Sequence, residues 1–98
     1  MQRDFSVALK SIGDIAIVDN GQPVTLKMVA INALLSNDEA DRGQSGEEKY
    51  KRFKLADRIH ASDTVEVSVE ELALIKRLIG LIYPPVIVGS AYAALEST

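Results

Sequence analysis

The chain has 98 residues, 47% hydrophobic and 26% charged, a globular composition whose length supports one hydrophobic core rather than two. Its 11 cations against 14 anions give a net charge of −3, which opposes a general affinity for DNA or RNA. No cysteine is present, which excludes disulfides, thiol catalysis and cysteine-based metal sites and fits a cytoplasmic setting.

The opening MQRDFSVALK places an acid and only a short apolar run after the first cation, so no targeting segment is expected. Phe5, Val7 and Leu9 alternate with polar or small residues, and Ile15-Ala16-Ile17-Val18 is short and largely β-branched. The two stretches read as strands paired in a hairpin. Asp19-Asn20-Gly21 signals a turn, and Pro23 forbids continuing at once as a central strand. Thr25 can then cap a helix in which Leu26, Val29, Ala30, Ala33 and Leu34 form one buried stripe, ending near Ser36.

Residues 37–44, NDEADRGQ, read as an acidic loop. It fails as a calcium loop: with Gly43 in the obligatory glycine position, Ala40 and Arg42 fall on ligand positions and Lys49 replaces the closing glutamate. Ser45 and Glu48 fit a capping box opening a helix over 46–61, and Ser68 with Glu71 repeats it. Between the two, residues 64–67 alternate as a short strand that could join the hairpin. Leu72, Ile75, Leu78, Ile79 and Ile82 carry the next helix, which Tyr83-Pro84-Pro85 stops, and residues 86–96 read as a fourth helix, with a strand at 86–88 as the alternative. The expected architecture is a single α+β domain over residues 1–98, an N-terminal β-hairpin, extended to three short strands if 64–67 joins, packed on three to four helices.

The hexapeptide KYKRFK, residues 49–54, holds four cations and two aromatics. On a wheel of 100° per residue from Tyr50, the residues Leu55, Ile59, Ala56, His60 and Phe53 span roughly 140° to 300°. Phe53 is therefore expected in the core and His60 half-buried. Glu47 should pair with Lys51 and Glu48 with Arg52 across one helical turn. Lys49 and Arg52 fall inside or beside the apolar arc, where each must snorkel or meet a partner. With one histidine, no G-x-S-x-G and no phosphate-binding glycine loop, neither catalysis nor a metal or cofactor site is expected. Residues 78–95 are uncharged, but two prolines at their middle argue for a helical hairpin over a membrane span, with Gly89, Ser90, Ala93 and Ala94 allowing close approach.

Two stretches, DNGQPVTLKMVAINALL (19–35) and SGEEKYKRFKLADRI with VEVSVEELALIKRLIGLIYPPVIVGSAYAALE (45–59 and 65–96), together resemble short proteins of unassigned role encoded by tailed bacteriophages and prophages. The shared features are turn, cap and core residues. The resemblance implies an origin and a setting, a bacterial cytoplasm during phage growth, and no functional residues. The expected function is a non-enzymatic protein-binding module that occupies a surface of a host or phage protein. Its expected contacts are Lys49, Tyr50 and Arg52, with Tyr83 and Tyr92 behind them. The alternatives are a virion-assembly or structural protein that forms homo-oligomers through residues 78–95, and a weak nucleic-acid-binding accessory protein whose affinity would fall steeply with salt.

Overall fold

Strand, hairpin and helix alternate along the chain as β1 (Gln2–Asp4), β2 (Val18–Asp19), β3 (Gln22–Pro23), α1 (Leu26–Leu35), α2 (Gly46–Ala61), β4 (Thr64–Glu66), α3 (Val69–Ile82) and α4 (Pro85–Glu96). The computed structural model describes residues 1–36 and 45–96; the acidic loop and its failed calcium register lie outside them. The architecture is α+β, with two small antiparallel sheets against four helices.

The strands differ in detail from the expected hairpin. β1 lies at Gln2–Asp4 and pairs antiparallel with β4, setting Arg3 opposite Val65. Of the expected pairing between residues 5–9 and 15–18, only the end forms: the Ile17 N–H donates to the Leu9 carbonyl at 3.1 Å, beside an isolated bridge of Lys10 opposite Ala16. Phe5 and Leu9 instead turn into the core, 0% and 2% exposed. The chain between reverses through Gly13 and Asp14, both at positive φ, which glycine adopts freely and aspartate tolerates. The regular hairpin is β2–β3, closed by Asn20 (φ 51°) and Gly21 (φ 78°), where the asparagine-glycine pair suits the two-residue turn. Pro23 sits in a two-residue strand, opposite Val18, where it interrupts no central ladder.

The helices follow their caps. The Thr25 hydroxyl accepts from the Met28 N–H, and the buried residues of α1 are Leu26, Val29, Ala30, Ala33 and Leu34, the expected stripe. At α3 the capping box is complete: Ser68 Oγ accepts from the Glu71 N–H at 3.0 Å and the Glu71 carboxylate accepts from the Ser68 N–H at 2.9 Å. At α2 only the serine half forms, Ser45 Oγ accepting from the Glu48 N–H, while the Glu48 carboxylate lies 3.9 Å from Lys51 Nζ. α4 is a helix from Pro85, proline serving at its first turn. One hydrophobic cluster joins Phe5 and Leu9 to all four helices, including Ile59, Ile79 and Leu95.

The α3–α4 hairpin buries Leu78, Ile79, Ile87, Ala91 and Leu95, but its close contact is not at the expected small residues. A Cβ on Gly89 would meet nothing within 4 Å, and Ala93 is exposed. The tight point is Gly80, where a Cβ would stand 2.8 Å from Tyr92 Oη. That hydroxyl donates to the Lys76 carbonyl at 2.5 Å. Gly80→Ala should therefore leave stability within about 0.5 kcal/mol of the parent, since the helix-propensity gain of ~1 kcal/mol is offset by a displaced hydrogen bond of similar size. In a Tyr92→Phe background the same change should stabilise by about 1 kcal/mol. Denaturant unfolding of the four proteins measures the coupling, and additive effects would show that the phenol moves aside freely.

Two exposed carboxylates titrate low. Asp4 is lowered by the Ser6 hydroxyl and then by the Ser6 N–H, and Glu96 by its hydrogen bond from Lys76 Nζ and then by that cation's charge. Both folded values lie below the unfolded ones, so each contribution is present above the unfolded value of ~4 and is lost as pH falls through the lower folded value. In an NMR-detected titration the Glu96 midpoint should rise in Lys76→Ala; an unmoved midpoint would detach it from Lys76.

Candidate functional site

The expected contact residues do not share one face. Arg52 is 4% exposed and lies at the centre of the buried side of α2, beside Leu55, Ala56 and Ile59. Its Nε donates to the Leu34 carbonyl at 2.9 Å, and its Nη2 to the carbonyls of Ser36 at 2.9 Å and Ala33 at 3.3 Å. These belong to the last turn and C-cap of α1, where carbonyls lack the i+4 amide of a continuing helix, although the Ala33 carbonyl also accepts from the Ser36 N–H and hydroxyl. Arg52 is thus a cap on its neighbouring helix, not a surface contact, and the expected Glu48–Arg52 pair gives way to Glu48–Lys51.

With Arg52 at its centre, the buried arc of α2 is narrower than expected. Phe53, expected in the core, is 58% exposed, and His60, expected half-buried, is exposed. His60 does not pair with Asp63, whose carboxylate accepts from Lys27 Nζ at 3.0 Å. Phe53 faces a groove of about 250 Å³ between α1 and α2, lined also by Ile31, Leu35, Ala56, Asp57 and His60. Leu35 is 53% exposed across it. Ile31 and Leu35 lie off the buried stripe of α1; apolar residues on a helix outside its core-facing stripe are the signal that could have located this face.

Tyr50 and Lys49, one helical turn before Phe53, are exposed, Lys49 lying outside the narrower arc rather than snorkelling within it, with Lys54 Nζ 5.4 Å from the Tyr50 ring centroid. Lys49 makes no ion pair among the described residues. The two remaining tyrosines are occupied within the α3–α4 hairpin. Half-buried Tyr83 closes α3, its N–H donating to the Ile79 carbonyl at 3.1 Å, and Tyr92 carries Lys76 Nζ 4.9 Å over its ring besides its bond to the Lys76 carbonyl.

The other cations of α2 meet protein partners. A cleft of about 610 Å³ between α2 and α3 is lined by Lys51, Lys54 and Arg58 but equally by Glu48, Glu70 and Glu71. Arg58 pairs with Glu71 and Lys51 with Glu48, so the cleft presents little net charge to a phosphate. Among the described residues no three acidic or histidine side chains gather as a metal site, and no helix is long and apolar enough to cross a membrane. No family model, curated protein or solved structure matches the chain.

Proposed function

We propose that the protein is a non-enzymatic protein-binding module that docks another protein on the α1–α2 face. One observation carries this reading: Phe53 and Leu35, each more than half exposed, flank a groove floored by Ile31 and Ala56. A monomeric domain gains nothing in stability from two large apolar side chains held in water, and contiguous exposed apolar surface marks interaction sites. Tyr50 and Lys49 stand one helical turn before Phe53 on α2, an aromatic and a cation without an ion pair among the described residues, so the fitting partner inserts an apolar side chain between Phe53 and Leu35 and brings a carboxylate to Lys49.

The setting implied by the phage resemblance supplies the two kinds of partner, a host protein or a phage protein, in a bacterial cytoplasm. Self-assembly through residues 78–95 is the weaker reading, because Leu78, Ile79, Ile87, Ala91 and Leu95 are buried within the monomer. Nucleic-acid binding is weaker again, with Arg52 buried and Arg58 and Lys51 paired.

The test is a pull-down at moderate salt from bacterial lysates with and without phage infection, followed by affinity measurement on the purified partner. Phe53→Ser and Tyr50→Ala should each weaken binding by roughly tenfold or more, a loss of 1.4 kcal/mol or above, while stability stays within about 0.5 kcal/mol. Unchanged affinity in both variants removes this face from the proposal.

A further inference from the structure

The β2–β3 hairpin and the bridge beside it leave an open strand edge. In an extended strand the N–H and C=O of one residue point to the same edge, and successive residues alternate. The Ile15 carbonyl accepts from the Ser11 N–H at 2.7 Å, and the Ile17 N–H donates to the Leu9 carbonyl at 3.1 Å. The Ile17 carbonyl accepts from the Val24 N–H at 2.9 Å, and Asp19 lies opposite Gln22. Residues 15, 17 and 19 therefore all bond toward one side, shared by the 9–11 and 22–24 segments. Ala16 and Val18 turn their backbone groups to the opposite edge, where no described residue bonds to them. Along this stretch the β-branched side chains of Ile15 and Val18 are 65% and 56% exposed.

Exposed edges are usually blunted because they template pairing with another chain. Here an aspartate stands at each end, Asp14 and Asp19, both exposed and neither in an ion pair among the described residues. We propose that the edge formed by residues 15–19 accepts an extended segment of another protein, apolar at its centre and carrying a lysine or arginine at each end. Ala16 and Val18 would supply two donors and two acceptors to the added strand, and the aspartates would meet its cations. A second copy of this chain is the poorer occupant. In-phase antiparallel pairing would gather Asp14 and Asp19 of both copies on one short ladder, with no cation from either edge. The proposal is independent of the α1–α2 face.

The probe is a synthetic peptide, acetyl-Lys-Thr-Val-Thr-Val-Lys-amide, titrated into the ¹⁵N-labelled full chain at low ionic strength beside its counterpart with glutamate for both lysines. Amide shifts should concentrate at residues 14–19, hydrogen exchange should slow at Ala16 and Val18, and the basic peptide should bind about fivefold more tightly than the acidic one. Ala16→Pro removes an outward donor without touching the inward ladder and should abolish the effect. If that variant loses its native spectrum, Asp14→Asn with Asp19→Asn is the substitute, expected to erase the preference for the basic peptide. No shift with either peptide, equal affinity for both, or undiminished binding by Ala16→Pro would each overturn the proposal. A dimeric mass with Ala16 and Val18 already protected would overturn it too, by giving the edge to a second copy.

Discussion

Replacing Phe5 with alanine should lower the unfolding free energy by about 3–5 kcal/mol. Phe5 is fully buried, and it is the aromatic of a cluster otherwise built from aliphatic side chains and alanines. The surrounding helices are fixed by their own caps and cannot close around the vacated volume, so a cavity cost adds to the lost burial. Its backbone bonds are untouched by the change: the Phe5 N–H donates to the Asp63 carbonyl at 2.7 Å and its carbonyl accepts from the Lys27 N–H at 2.8 Å. The loss therefore isolates the side chain. In a domain of this size the midpoint of thermal unfolding should fall by roughly 15–30 °C, with the denaturant slope unchanged, whereas Phe5→Leu should cost less than about 1.5 kcal/mol. A loss under ~1 kcal/mol for alanine would mean that the N-terminal segment frays from the helices and that the core is complete without it.

Much of this fold was legible where one residue type has one physical use. Serine or threonine before an apolar stripe marked the starts of α1, α2 and α3, and the stripe of α1 is the buried one residue for residue. Tyr83-Pro84-Pro85 marked the break before α4 because proline both ends one helix and begins the next. The strands were less legible. Phe5 and Leu9 carry the alternation of a strand but are directed into the core by the helices they meet, and the partner of β1 is β4, more than sixty residues away in sequence. Local pattern holds no information on such a pairing beyond compatibility. The candidate face is hard to read from the sequence for a related reason. A wheel assigns the buried arc from apolar residues, but the centre of the α2 arc is Arg52, whose burial depends on the terminal carbonyls of a different helix. Centring the arc on Arg52 narrows it and leaves Phe53 outside, exposed beside Lys49, Lys51 and Lys54.

Arg52→Ala should cost about 2–4 kcal/mol, the sum expected when a buried, charge-assisted set of hydrogen bonds is deleted and its acceptors are left behind. The guanidinium reaches the carbonyls of Ala33, Leu34 and Ser36, where the dipole of α1 is negative and where Ser36 Oγ already bonds Ala33 at 2.8 Å. Two further variants separate the contributions. Arg52→Met keeps the apolar stem and loses every donor, so it should lose most of what alanine loses if the hydrogen bonds matter more than the packing. Arg52→Lys keeps the charge but cannot fork across several carbonyls, so it should recover only part of the deficit. Denaturant unfolding gives the magnitudes, and hydrogen exchange at the last amides of α1 should rise ahead of the rest of the helix. The result also decides how the docking face can be tested. An alanine triplet at Lys49, Tyr50 and Arg52 would lose binding by unfolding, whereas Phe53→Ser and Tyr50→Ala alter the exposed side of the same helix. If Arg52→Met instead matched the parent in stability and lost partner binding, the guanidinium would be acting at the surface, and its role as the cap of α1 would be refuted.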